Sequence, residues 1–182
     1  MIPIFVTGNK GKVDAVKKWL GYELPHEDID LEELQELDAR VVVEHKARQA
    51  YEILKKPVLI DDTSLIFNAL GRLPGTLIKW FLSELDLEKC CRLLDSFDDR
   101  TATARVMLGL FDGHEMHIFD AEVPGSIAQH PKGDGGFGWN SIFIPKGSEK
   151  TYAEMDDKDL DIYAVRKKTV TQLKTYLDKL EA

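Results

Sequence analysis

Apolar positions in this chain fall into two patterns, short continuous runs and longer stretches with helical spacing. The chain opens on "IPIFVTG", whose run Ile4-Phe5-Val6 reads as a short strand ended by Gly8 and Asn9. "KGKVDAVKKWLG" then predicts a helix, with Val13, Val16 and Leu20 on one side and Gly21 as its stop. "HEDIDL" reads as a second strand leading into the acidic segment "LEELQELDA", and helical spacing returns from Arg40 to Leu54. Pro57 opens "PVLIDDTSL", an apolar run that predicts a buried strand with Asp61 and Asp62 at its polar end, at a sheet edge.

Beyond the turn "GRLPG", two helical stretches are expected, Thr76–Glu84 and Leu87–Phe97. "TATARVMLGLFDGHEMHIFDAEV" predicts two long strands joined at Asp112-Gly113, a dipeptide suited to a hairpin turn. "WNSIFIP" supplies another strand. Asp161–Leu180 closes the chain as an amphipathic helix carrying Val165, Thr169, Leu173, Tyr176 and Leu180. Strands alternating with helices, plus an antiparallel hairpin, imply an α/β fold with a central mixed sheet and flanking helices. No repeat, linker or low-complexity tract interrupts the pattern, so residues 1–182 are expected to form a single domain, with two lobes around a cleft.

Composition narrows the function classes. With 43% hydrophobic and 31% charged residues among 182, the chain can bury a sizeable core. A formal net charge of −8 argues against a sequence-independent nucleic-acid binder, which carries a basic face. It leaves room for a small polyanion met by local lysines or a metal ion. No apolar run approaches about 18 residues and no basic-then-apolar leader stands at the N-terminus, so a cytoplasmic protein without a membrane role is expected. The adjacent Cys90 and Cys91 lie in a helical pattern and read as buried thiols rather than a disulfide or metal pair.

Several segments could carry chemistry. "TGNKGK" (Thr7–Lys12) joins a strand to a helix, where free backbone N–H groups, Asn9 and Lys12 could receive an anion. It lacks the spacing of a P-loop, and an ordinary strand–helix turn would look the same. Asp61-Asp62 after a buried strand need water, hydrogen bonds or a hard cation such as Mg²⁺; a simple cap is the alternative. In the acidic run Glu32, Glu33, Glu36 and Asp38, a solvated face competes with one glutamate joining Asp62 at a metal. "GGFGWNSIF" could be a base-stacking loop through Phe137 and Trp139, or a core edge. Arg166 in "DIYAVRKK" could donate to a base carbonyl, or face solvent.

The order of these blocks is more specific than any one of them. "TGNKGK", "DDTSLIFNALGRLPG", "IKWF", "GGFGWNSIFIP" with "TYAEM", then an arginine on the last helix, resemble the inosine triphosphate pyrophosphatase family over essentially the whole chain, Ile4 to Leu180. The resemblance implies an α/β fold with two lobes around a nucleotide-binding cleft, a homodimer, and Mg²⁺-dependent hydrolysis of ITP, dITP and XTP to monophosphate and pyrophosphate. On its motifs Thr7, Asn9 and Lys12 match the phosphate-binding positions, and Lys46 matches a second phosphate-binding lysine. Glu33, Asp61 and Asp62 match metal-binding carboxylates, Asp62 being the catalytic aspartate assisted by Lys12. Phe137, Trp139 and Asn140 match the base-side residues, and Arg166 the arginine that reads the purine 6-oxo group.

The sequence also departs from the family pattern. Ala15 stands where a glutamate is usual, three residues after the phosphate-binding lysine. Asn140 and Ser141 replace an aspartate–proline pair, Ala164-Val165 a serine–histidine pair, and Leu160 a lysine. Two hypotheses follow. One is a working pyrophosphatase with a retuned base pocket. The other is a weak or inactive ITP- or dITP-binding sensor subunit that regulates a partner protein, for example in an anti-phage nucleotide-sensing complex.

Overall fold

The computed structural model describes residues 1–181. Its strands are β1 (Ile4–Val6), β2 (His26–Glu27), β3 (Val58–Phe67), β4 (Pro74–Gly75), β5 (Thr101–Phe111), β6 (Met116–Ile127) and β7 (Phe143–Pro145). Its α-helices are α1 (Lys10–Leu20), α2 (Ala39–Leu54), α3 (Ile78–Glu84), α4 (Leu87–Arg92), α5 (Asp157–Tyr163) and α6 (Val165–Glu181). All strands join one sheet in the order β2-β1-β3-β5-β6-β7, with β4 paired to β3. β1 runs parallel to both β2 and β3, whereas β3–β4 and β6–β7 are antiparallel, so the mixed α/β sheet expected from the sequence is present. Among the described residues, no helix is long and apolar enough to cross a membrane.

The chain forms two compact units. The first comprises Met1–Asp62, Val106–Ala121 and the C-terminal segment from Arg166; the second comprises Thr63–Arg105 and Glu122–Val165. In the first, α2 buries Ala39, Val43, Ala47 and Ala50 against Val6, Val58, Ile60, Met107 and Phe111. These helix positions recur every three or four residues and form one apolar stripe. Asp38 caps α2 by accepting from the Arg40 amide. The second unit buries Phe67, Cys90, Cys91, Leu94, Trp139, Phe143 and Tyr152. There Arg100 ties three carbonyls together, donating to those of Cys91, Ile127 and Ala128 at 2.8–3.1 Å.

Several elements differ from the sequence expectation. β3 does not stop at the aspartates but continues to Phe67, because Ser64, Leu65 and Phe67 are also buried. Asp61 and Asp62 therefore sit mid-strand rather than at a sheet edge. The strand expected over "HEDIDL" is two residues long, and the one over "WNSIFIP" is confined to Phe143–Pro145 because the chain turns tightly from Trp139 to Ile142. The second of the paired helices ends at Arg92.

The closing helix begins earlier than expected, at Asp157, behind an Asp156 cap, and breaks at Ala164, which is extended (φ −65°, ψ 119°). At that break the Tyr163 carbonyl accepts from the Tyr152 hydroxyl at 2.8 Å, a partner that replaces a helical one.

Candidate active site

The first segment with candidate chemistry is the β1–α1 junction. Asn9 is extended and caps α1, its Oδ1 accepting from the Lys12 amide at 3.2 Å, while Thr7 Oγ1 accepts from the Asn9 amide at 3.1 Å. Thr7 and Asn9 thus shape the turn through side-chain oxygens, the ordinary chemistry of a helix start. Gly8 lies against the Asp28 carboxylate, where an added Cβ would come within 2.5 Å of an oxygen. A larger residue would have to push the exposed Asp28 side chain aside, so the turn and Asp28 lie in close contact.

Lys12 leaves this turn and reaches the middle of β3. Its Nζ lies 2.8 Å from Asp61 Oδ1 and donates to the Asp61 carbonyl at 2.9 Å. Arg166, on the first turn of α6, meets the same carboxylate side-on, Nε donating to Oδ2 and Nη2 to Oδ1, both at 3.0 Å. Two parallel charge-assisted bonds of this kind fix orientation as well as distance. The Asp61 side chain is fully excluded from solvent. Burial alone would push its pKa up; the Arg166 and Lys12 charges and their hydrogen bonds outweigh burial and hold it well below the usual carboxylate range. Asp62 follows on the same strand and is also buried, its side chain on the opposite face by the pleat.

A second ion pair organises the acidic segment. Lys46 Nζ on α2 lies 3.2 Å from Glu33 Oε1. One residue earlier, the Glu32 amide donates to Gln49 Oε1 at 2.8 Å and the Glu32 carboxylate meets His45 Nε2 at 3.2 Å. His45, Lys46 and Gln49 thus hold the Glu32-Glu33 backbone on α2. The sequence reading passed over His45 and Gln49, although their spacing of four on a predicted helix marks them as one face.

The structure brings Lys12, Asp61 and Arg166 together, and separately Lys46 with Glu33. It does not gather Glu33, Asp61 and Asp62 into a metal cage: among the described residues there is no group of three or more His, Cys, Asp or Glu placed to hold an ion. Ala15, where the resemblance expects a carboxylate, is half-buried within α1.

In the second unit the loop 132–141 is held by the turn Thr151–Glu154. Thr151 Oγ1 donates to the Lys132 carbonyl at 2.7 Å, the Gly135 amide donates to Ala153 O at 3.1 Å, and the Ala153 amide donates to Asn140 O at 3.1 Å. Thr151 and Glu154 form a capping box, a pattern legible in "TYAE". Gly136 has φ +72°, and a Cβ there would come 2.0 Å from Asn140 Nδ2, so the Asn140 amide occupies the space a side chain would need. Trp139 is 6% exposed and packs against Phe143 and Tyr152, at ring-centroid distances of 5.6 and 6.1 Å. It is a core aromatic beneath the loop, whereas Phe137 is half-buried on it.

Comparison with known proteins gives a consistent picture. The Ham1 family model matches residues 3–176. The inosine triphosphate pyrophosphatase of Schizosaccharomyces pombe is 39% identical over 179 residues, which cover 96% of this chain and 94% of that protein. The enzyme of the same name from Yarrowia lipolytica is 40% identical over 182 residues, covering 97% and 96%. Among solved structures, a HAM1 protein from Coxiella burnetii superposes with a TM-score of 0.83 at 25% identity, over 98% of this chain and all of the other. The Staphylococcus aureus Ham1 protein gives 0.81 at the same identity, over 97% and 98%.

Proposed function

Because the chain belongs to the Ham1 family, we propose that it hydrolyses nonstandard purine nucleoside triphosphates such as ITP, dITP and XTP to the monophosphate and pyrophosphate. The observation that carries this reading is the mid-strand pair Asp61-Asp62, buried, with Lys12 and Arg166 converging on the first carboxylate. Buried ionised groups on a rigid strand, next to a strand–helix turn with an exposed backbone, suit positioned phosphate chemistry rather than folding alone.

In this reading Asp62 accepts a proton from the attacking water as it bonds to the α-phosphorus, and the bridging oxygen leaves with pyrophosphate. Lys12 and Lys46 offset the negative charge on the phosphate chain, and the strand–helix turn at Thr7–Asn9 brings that chain to the start of α1. A Mg²⁺ ion that arrives on the triphosphate needs only one or two protein carboxylates, and Glu33 and Asp62 fit that role. Such an ion would neutralise phosphate charge when bound. Phe137 offers its ring to the base, with Trp139 supporting the loop from the core. Asn140 shapes the loop through Gly136. Arg166 donates to the 6-oxo group of the base, which favours an oxo over an amino group there.

The test is pyrophosphate release from ITP, dITP, XTP, ATP and GTP with Mg²⁺, for wild type and Asp62→Asn. Release from the first three with little from ATP is expected, reduced about 10²- to 10⁴-fold in the variant. No release from any nucleotide, with ITP still bound, overturns the enzyme reading in favour of a nucleotide-sensing subunit. That alternative draws on Ala15, which stands where a glutamate is usual. Equal release from ATP and ITP would remove the base-reading role from Arg166.

A further inference from the structure

We propose that Asp61 is a positioning residue that sets base selectivity and phosphate affinity together, by holding Lys12 and Arg166 on one carboxylate. The inference rests on the roles given above to those two cations, and it replaces the metal-ligand role that family resemblance implies for Asp61.

The geometry is a shared anchor. Oδ1 takes both the Lys12 ammonium at 2.8 Å and Arg166 Nη2 at 3.0 Å, and Oδ2 takes Arg166 Nε at 3.0 Å. Lys12 comes from α1 and Arg166 from α6, 154 residues apart in sequence (166 − 12), so only the anchor on β3 brings the two cations to one place. Without a carboxylate between them the two cations would repel each other in a largely buried setting. The Lys12 contact to the Asp61 backbone carbonyl fixes the lysine to the strand itself, not only to the side chain. With both oxygens so engaged, a divalent cation bound directly to Asp61 would stand beside two positive charges, which disfavours it there.

The two side chains are therefore coupled through one carboxylate, the lysine being held by the strand carbonyl as well. A shift of the carboxylate removes a partner from the arginine that selects the base and from the lysine that meets the phosphate in the same step. The mid-strand setting makes the anchor rigid, because β3 is paired to β1 on one side and lies inside the sheet. A positioning role of this kind changes ratios between substrates, whereas a purely structural role changes stability and leaves the ratios alone.

The experiment compares wild type, Asp61→Asn and Asp61→Glu for kcat and KM on ITP and ATP, for the Mg²⁺ concentration giving half-maximal rate, and for melting temperature. In Asp61→Asn the ITP-to-ATP ratio of kcat/KM is expected to fall by about tenfold or more, with KM for ITP raised by a similar factor. The Mg²⁺ requirement should stay within about twofold. Asp61→Glu keeps the charge but moves it by one methylene and should fall between the two. A folded Asn variant with unchanged selectivity, or a Mg²⁺ requirement raised about tenfold with selectivity intact, overturns the proposal. If the Asn variant does not fold, unchanged selectivity in Asp61→Glu does the same. If the wild type releases no pyrophosphate at all, the enzyme reading fails by itself; the same selectivity ratio is then read from equilibrium binding of ITP and ATP, with the same outcomes deciding.

Discussion

Lys46 Nζ and Glu33 Oε1 stand 3.2 Å apart, so a lysine proposed to meet phosphate and a glutamate proposed to meet metal neutralise each other. The side chains are 17% and 32% exposed, a partly solvated setting in which an ion pair adds little to folding. Binding of a phosphate-borne cation would exchange this pair for two new ones at small cost. Glu33→Gln is expected to raise the Mg²⁺ requirement and lower ITP turnover by about tenfold or more, while Lys46→Met mainly raises KM. Urea denaturation of each should show a stability change within about 1 kcal/mol. A much larger loss would make the pair a folding element instead.

Asp61 gives a prediction in pH. Its folded pKa lies below the ordinary 3.8, because Arg166 and Lys12 outweigh burial. The stabilisation this provides is fully present above 3.8 and is lost as pH falls through that value toward the depressed one. Asp61→Asn should be less stable than wild type by about 3–5 kcal/mol at neutral pH, since it leaves two cations without their counter-charge. The gap should narrow steadily as pH falls below 3.8, since asparagine does not titrate. Melting curves at a series of pH values read it directly, and a gap that widens in acid would contradict the ion-pair account.

The two aromatics of the glycine-rich loop should separate in a mutant pair. Trp139→Ala removes a core ring packed on Phe143 and Tyr152, and is expected to cost about 3–5 kcal/mol of stability. Phe137→Ala should cost under about 1 kcal/mol yet raise KM for ITP by roughly tenfold or more, the scale of one base–ring stack. Equal stability losses in the two variants would make Phe137 a second core residue.

The thiols offer a check on the second unit. Burial pushes the Cys91 thiol up to about 12 against the opposing charge of Arg100, and burial raises Cys90 as well. Both are free and buried. Neither should react with a thiol-specific disulfide reagent at pH about 8 in the native protein, because the thiolate is the nucleophile. Both should react in guanidinium. Rapid labelling of the native form would mean that this part of the core opens readily.

Much of the fold was legible in the sequence, because it depends on periodicity. The stripe of α2, the hairpin at Asp112-Gly113 and the run Val58–Ile60 each carry their own signal within a few residues. The break at Ala164 was not legible, because it follows from a hydroxyl twelve residues earlier, Tyr152, finding the carbonyl of Tyr163. The same distinction holds for the candidate site. Lys12, Asp61 and Arg166 could be singled out one at a time by residue type, but their meeting on one carboxylate depends on packing between α1, β3 and α6. Trp139 illustrates the reverse case. Its neighbouring glycines suggest an open loop, and the ring is instead buried by Phe143 and Tyr152, contacts that local sequence cannot express.

The placement of Asp61 and Asp62 inside β3 also bears on how such a chain can vary over time. Loops before and after the strand can gain or lose residues with little harm. Within the strand, a single inserted or deleted residue upstream of the pair would rotate each side chain to the other face, so the anchor for Lys12 and Arg166 and the proposed catalytic carboxylate would trade places. Change at these two positions is therefore confined to substitution, and a drifting base pocket can be explored around a pair whose spacing is fixed by the pleat.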